Sequence, residues 1–196
     1  MSIDVDTRAF YEANAAAYAD FAEPAEEHPR LTAFMRRLPE GARVLDFGCG
    51  SGWAGGQMLS QGINADGIDA SPALADEARH RYGLAVRVAD FRTLSARQRY
   101  DGIWCSFALQ HAPREDRPQI FERMHTALRP GGHLYIGVQK GPMDWRDDHG
   151  RLYVPFMKDE LEALLNGFED VEFDTGTGKN YDGTSVLNIY VTAIRT

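Results

Sequence analysis

"VLDFGCGSGWAGG", residues 44–56, is the stretch on which the fold turns. A run of apolar residues is broken by Asp46, and three glycines follow at alternate positions, Gly48, Gly50 and Gly52. Glycine costs backbone entropy wherever it sits, so this spacing points to a specific backbone shape. The stretch reads as a buried strand that ends in a glycine loop and opens a helix. Free N–H groups at a helix start can face a ligand, and glycines let the backbone approach it closely.

Outward from this stretch, strands and helices alternate. Upstream, residues 4–22 have helical periodicity, with Phe10, Asn14, Tyr18 and Phe21 on one face, and a short helix is expected at 30–38. Downstream of the strand "ARVLDFG" come the helix "GWAGGQMLSQG", the strand "NADGIDA" and the helix "SPALADEARHRYG". In that last helix Ser71 serves as N-cap, Pro72 takes the first turn and Gly83 the end. The strands "AVRVAD" and "YDGIWCSFA", a helix over 114–128 and the strand "GGHLYIGVQ" follow. Residues 140–153 read as irregular and 157–166 as a helix, and two strands flank "TGKNYDGTS". Seven strands separated by helices predict an α/β fold: a mostly parallel sheet, helices on both faces, and a closing hairpin with an antiparallel strand.

At 196 residues the chain fits one domain. A chain of this length buries roughly 70% of its unfolded surface and needs no staples. Two cysteines, Cys49 and Cys105, form no disulfide framework, so the expectation is a reduced, cytoplasmic protein. No apolar run approaches the roughly 20 residues that span a bilayer, and the first residues lack the pattern of a secretion signal. The formal charge of −8 disfavours a nucleic-acid partner, which needs clustered Lys and Arg.

Two ligand classes compete for the loop. The dinucleotide fingerprint G-x-G-x-x-G would place its third glycine where Trp53 stands, and Asp46 is unwelcome beside a pyrophosphate but suits a ligand with a positive charge. A P-loop is excluded, since no Lys-Ser or Lys-Thr follows.

"VLDFGCGSG" resembles the loop motif of the class I S-adenosylmethionine-dependent methyltransferases. That resemblance implies a Rossmann-like seven-stranded sheet. It implies S-adenosylmethionine as cofactor, with S-adenosylhomocysteine as product. In this family the acid at the strand end anchors the amino-acid end of the cofactor, a role that falls to Asp46, with the backbone of Gly48, Cys49 and Gly50 around the same region. In "GIDAS", Asp69 would accept the ribose hydroxyls, with Ala70 beside it; an N-cap role is the alternative, but Ser71 already supplies that cap. In "VADFRTL", Asp90 would bind the adenine amino group and Phe91 would pack on the ring; a plain loop carboxylate is the alternative. Ser106 and Phe107 leave the fourth strand where the methyl-donor side would lie. "LRPGGHLYIG" matches the approach to the fifth strand, with Gly131-Gly132 as a turn.

Tyr11 and Tyr18, seven apart in "FYEANAAAYADF", either close over the cofactor or form a packing stripe. His111, just beyond the fourth strand, is the candidate base; a packing histidine is the plainer reading. "MDWRDDHGRLY" holds Asp144, Asp147, Asp148 and His149, and reads as a solvated acidic loop rather than a metal site, so no metal is expected. Cys49 reads as loop packing rather than as a nucleophile. Residues 140–156 are expected to form a lid over the acceptor, with Trp145 and Tyr153 as its walls. The expected layout is a single domain over 1–196: a helical cap at 1–40, a cofactor core at 41–139, the lid, and a C-terminal helix and hairpin at 157–196.

The motif after the fourth strand is Ser106-Phe107-Ala108-Leu109, not the Asn/Asp-Pro-Pro-aromatic run of family members that methylate nucleobase amines. A small-molecule acceptor is therefore expected, bound without a membrane or nucleic-acid partner. A cofactor-binding regulatory or scaffolding subunit is the other reading.

Overall fold

The computed structural model describes residues 3–24 and 28–196. The parts of the expected cap at 1–2 and 25–27 lie outside the described residues. Helices α1 (Val5–Ala22) and α2 (Pro29–Met35) precede the first strand, β1 (Arg43–Phe47). Then come α3 (Trp53–Ser60), β2 (Asn64–Asp69), α4 (Pro72–Tyr82), β3 (Ala85–Val88) and β4 (Tyr100–Ser106). The chain continues through α5 (Arg117–Ala127), β5 (Leu128–Gln139), β6 (Trp145–Arg146), β7 (Leu152–Tyr153), α6 (Lys158–Leu164), β8 (Phe168–Lys179) and β9 (Ser185–Arg195).

The main sheet has seven strands in the order β3-β2-β1-β4-β5-β9-β8. The first five are parallel, and β9 runs antiparallel to both of its neighbours, as expected of the closing hairpin. Strand alternation sorts the core onto two faces. On one face Leu45, Ile103, Leu134 and Ile136 pack with Ile120, Phe121 and Met124 of α5 and Leu161 of α6. On the other, Val44, Trp104 and Tyr135 pack with Leu31 and Phe34 of α2, Met58 of α3 and Ala75 and Ala78 of α4. Trp104 and Tyr135 stack at 3.8 Å between ring centroids, a cross-strand pair of the kind that fixes register.

Ser71 caps α4 through Leu74 N–H, and Gly83 ends the helix in the left-handed region, both as expected. Two regions depart from expectation. The Gly131-Gly132 turn lies inside β5, where the pairing slips from Tyr100–Leu128 to Gly102–His133 and Gly131 has a φ of +75°. Residues 140–153 carry the short antiparallel pair β6 and β7. This pair escapes sequence reading because each strand is two residues long and shows no periodicity.

Asn14 interrupts α1 with φ −123° and ψ 17°, and its side-chain amide donates to Phe10 O at 2.8 Å. That local bond competes with the helix ladder and kinks the helix. Below the kink, Phe10, Tyr11 and Ala15 pack with Leu74 of α4.

Candidate functional site

The loop after β1 sits at the C-terminal edge of the sheet, where neighbouring strands lead their connections to opposite sides, the usual ligand position in such sheets. Gly48 (φ +77°) occupies a conformation open to glycine, and a Cβ there would collide with Ala108. Gly50 (φ +53°) faces open space. Its N–H donates to Asp69 Oδ2 at 2.8 Å, and Ser71 N–H donates to Asp69 Oδ1 at 2.9 Å. The carboxylate thus ties the glycine loop to the start of α4 and keeps lone pairs for a ligand.

A cleft of about 770 Å³, including its open mouth, is lined by Gly48, Cys49, Gly50, Ser51, Asp69, Ala70, Phe91, Ser106, Phe107 and His111, with Tyr11 and Tyr18 across it. These are eleven of the residues singled out in the sequence plus Ser51. Three others lie differently. Asp46 is buried beneath the loop and accepts from Gly55 N–H at 3.0 Å. The Asp90 carboxylate turns to Arg92, accepting from its backbone N–H at 2.8 Å and from its guanidinium. Trp145 lines neither this cleft nor the chamber beside it; its ring stacks on Tyr153 at 4.5 Å.

Burial shapes the ionisation of the site. Asp46 is raised to about 7 and Asp69 is raised, in both cases by loss of solvent. The Cys49 thiol is also pushed up by burial, and its sulfur packs where a Cβ on Gly67 would stand, which fits loop packing. Ser51 Oγ is buried with no hydrogen-bond partner among the described residues, although it lines the cleft. Glycine-shaped space, an orphaned hydroxyl and two carboxylates fit an adenosyl amino acid with ribose hydroxyls and an ammonium group.

Phe107 leaves β4 with φ +56°, rare for a large side chain, and its N–H donates to Gly137 O at 2.7 Å. Such strain recurs at functional sites. Beyond it, His111 is buried with both nitrogens engaged: Nδ1 lies 2.8 Å from Leu152 O, and Nε2 lies 3.1 Å from the Tyr11 hydroxyl. A carbonyl only accepts, so Nδ1 carries the proton and Nε2 accepts from Tyr11. Burial pushes His111 down to about 4, leaving it neutral at physiological pH.

Beside the cleft lies a chamber of about 1020 Å³ that shares Tyr11, Tyr18, Trp53, Ser106, Phe107 and His111 with it. The chamber adds residues that sequence reading passed over, among them Gln110, Gln139, Arg151, Asn180 and Asn188. Arg151 is 2% exposed, pairs with Asp147 at 2.7 Å and donates to the Tyr11 hydroxyl at 3.3 Å. Asp147 is therefore not part of a solvated acidic loop: its side chain is fully buried against Arg151. Asp144 pairs with Arg114 at 2.9 Å. Among the described residues, no group of three or more His, Cys, Asp or Glu could hold a metal ion. No helix of the described residues is long and apolar enough to cross a membrane.

Three ties join α1 to the β6–β7 pair. Leu152 N–H donates to Thr7 Oγ1 at 2.7 Å, Arg146 pairs with Asp4 at 2.8 Å, and Arg151 reaches Tyr11.

Comparison with known proteins agrees with this geometry. The family model described as a methyltransferase domain matches residues 44–132. The ubiquinone biosynthesis O-methyltransferase of Xanthomonas axonopodis pv. citri is 37% identical over 118 residues, which are 56% of this chain and 48% of that protein. The mouse tRNA (carboxymethyluridine(34)-5-O)-methyltransferase is 30% identical over 171 residues, 82% of this chain and 25% of that one. The chain spans about half the length of the ubiquinone-pathway relatives it matches. Among solved structures, the Burkholderia thailandensis 1,6-didemethyltoxoflavin-N1-methyltransferase superposes with a TM-score of 0.76 at 23% identity, covering 97% of this chain and 88% of that one. A S-adenosylmethionine-dependent methyltransferase from Methanosarcina mazei gives 0.76 at 20% identity, covering 87% and 98%. With its strand order, its glycine loop and a methyltransferase-domain match over residues 44–132, the chain has the fold of the class I S-adenosylmethionine-dependent methyltransferases.

Proposed function

We propose that this protein binds S-adenosylmethionine in the cleft and methylates a small molecule held in the adjoining chamber. The observation that carries this reading is the shared wall: Tyr11, Tyr18, Ser106, Phe107 and His111 border both cavities, so a donor in one meets an acceptor in the other. The cofactor, when bound, supplies a methyl group already made electrophilic by its sulfonium. The protein's own task is to orient and to exclude water.

Asp69 takes the ribose hydroxyls, Ala70 and Phe91 border the adenosine, and Gly48, Cys49, Gly50 and Ser51 cradle the amino-acid end above Asp46. Asp90 holds the adenine side through its loop. Tyr11 and Tyr18 close the cleft. Tyr11 oxygen, whose own proton points to His111 Nε2, can accept the proton of an acceptor hydroxyl; the pair then acts as a base, with Tyr153 walling the chamber and Trp145 bracing Tyr153. The chain works as one domain, with residues 1–40 as cap, 41–139 as core, 140–156 as lid and 157–196 completing the sheet. The two cysteines are free and buried, in keeping with a reducing cytoplasm. A net charge of −8 supports a small acceptor over a nucleic acid.

Incubation with methyl-labelled S-adenosylmethionine and a small-molecule extract tests the reading. Label should pass to low-molecular-weight products. Cofactor binding with no labelled product in any fraction would indicate a binding protein instead.

A further inference from the structure

Among the described residues of the chamber, four amide side chains are more than nine-tenths buried: Gln110, whose Oε1 accepts from Gln139 N–H at 2.9 Å, and a trio made of Gln139 at the end of β5, Asn188 on β9 and Asn180 in the turn after β8. Gln139 and Asn188 are paired in register across the antiparallel β5–β9 ladder, so their side chains share one face. Asn180 is placed by its own tight turn, its N–H donating to Thr184 O at 2.9 Å. Gly178 leaves the space that Asn188 fills, since a Cβ there would stand 2.7 Å from Asn188 Nδ2.

The trio is only partly satisfied. Gln139 Nε2 donates to Asn180 Oδ1 at 2.7 Å, and Asn188 Nδ2 donates to the Tyr190 hydroxyl at 3.3 Å. Gln139 Oε1, Asn180 Nδ2 and Asn188 Oδ1 have no hydrogen-bond partner among the described residues. Exchanging the amide orientations of both Gln139 and Asn180 still leaves one donor and one acceptor over. A buried polar group without a partner costs about 1–3 kcal/mol, so three of them on residues that line one cavity need a reason.

The rest of the lining narrows the ligand. Phe107, Tyr18, Tyr153, Tyr181 and Tyr190 make the walls flat and aromatic. Among the described residues, no Asp or Glu lines the chamber, and its Lys and Arg side chains are Arg151, paired with Asp147, and the exposed Lys179. Arg151 already occupies the aromatic cluster as a cation, 4.6 Å from the Phe10 centroid and 5.4 Å from that of Tyr153.

We propose that Gln139, Asn180 and Asn188 form a specificity site that reads the edge of a lactam, so that the acceptor is a planar ring carrying a C=O beside an N–H. Asn180 Nδ2 donates to the ring carbonyl, and Gln139 Oε1 or Asn188 Oδ1 accepts the ring N–H. This inference rests on the methyltransferase reading, because it assigns the acceptor side of that site.

The test is calorimetric titration of the full chain, first with S-adenosylhomocysteine and then, on the loaded protein, with 2-quinolone, N-methyl-2-quinolone and phenethylammonium. The inference expects 2-quinolone to bind at least about tenfold more tightly than its N-methyl analogue, the factor of one lost hydrogen bond with a buried group left unpaired. Gln139→Met should reduce 2-quinolone binding at least about fivefold while S-adenosylhomocysteine affinity stays within twofold. Equal affinity for the two quinolones on the wild-type protein overturns the inference with no variant needed. So does tighter binding of phenethylammonium, or no quinolone binding at millimolar concentration. In each of these cases intact S-adenosylhomocysteine binding leaves the methyltransferase reading standing, whereas its loss removes both.

Discussion

Replacing Asp69 by alanine has two separable consequences. The carboxylate holds Gly50 N–H at 2.8 Å and Ser71 N–H at 2.9 Å, and it faces the cleft. Each backbone donor left without an acceptor costs about 1 kcal/mol, and relief of the buried charge offsets part of this, so the loss in stability is at most about 2 kcal/mol. For a chain of this size that lowers Tm by about 4–8 °C at most. On the binding side, hydrogen bonds to a charged group contribute about 1.5–3 kcal/mol, so losing the equivalent of one weakens S-adenosylhomocysteine about tenfold to a hundredfold. Asp69→Asn keeps one oxygen for the loop and should recover most of the thermal loss but little of the affinity. Thermal melts and calorimetry on the three proteins supply both numbers. A folded Asp69→Ala protein with unchanged S-adenosylhomocysteine affinity would refute the ribose role.

Asp46 is raised to about 7 by burial, so cofactor binding that uses its charged form should release a proton near pH 6.5. Affinity should then rise with pH up to about 7; calorimetry in two buffers of different ionisation enthalpy checks this, and Asp46→Asn should abolish it. Before cofactor binds, the sign is opposite for stability: a carboxyl with a higher folded than unfolded pKa stabilises fully below about 4 and loses that contribution as pH rises through 7. Tyr11→Phe and His111→Ala should each lower kcat by about a hundredfold or more if the pair acts as one base, and the double variant should be no worse than either single one. His111, held near 4, should give the rate no histidine limb between pH 5.5 and 8. Hydrogen exchange should show residues 8–21 and 145–153 gaining protection together on S-adenosylhomocysteine binding, because Thr7, Asp4 and Tyr11 tie α1 to the β6–β7 pair. Equal, strong protection in both states would make α1 ordinary core.

What could be read in the sequence was what is local. Gly48, Gly50 and Asp46 fall within five residues and encode one turn, and the alternation of Val44 with Leu45 and of Trp104 with Ile103 announces a sheet covered on both faces. The chamber was not legible. Gln139 and Asn188 are single polar residues in apolar strands, and only the antiparallel return of β9 sets them side by side. His111 was visible as a candidate, but the hydroxyl that decides its tautomer comes from Tyr11, a hundred residues earlier. Asp147 looked like surface charge because its neighbours are acidic; Arg151, one tight turn later, takes it into the interior. Trp145 was expected beside Tyr153 as a wall of the lid, and the β6–β7 pairing lays its ring on Tyr153, which itself lines the chamber.

The most direct measurement is a calorimetric titration of the wild-type chain with S-adenosylhomocysteine, followed by competition with reduced nicotinamide dinucleotide. A saturable one-site isotherm with Kd well below millimolar, unaffected by the dinucleotide, is the predicted result. No heat at concentrations up to about 1 mM, where binding of only about −4 kcal/mol still registers, or displacement by the dinucleotide, would contradict the assignment of the cleft.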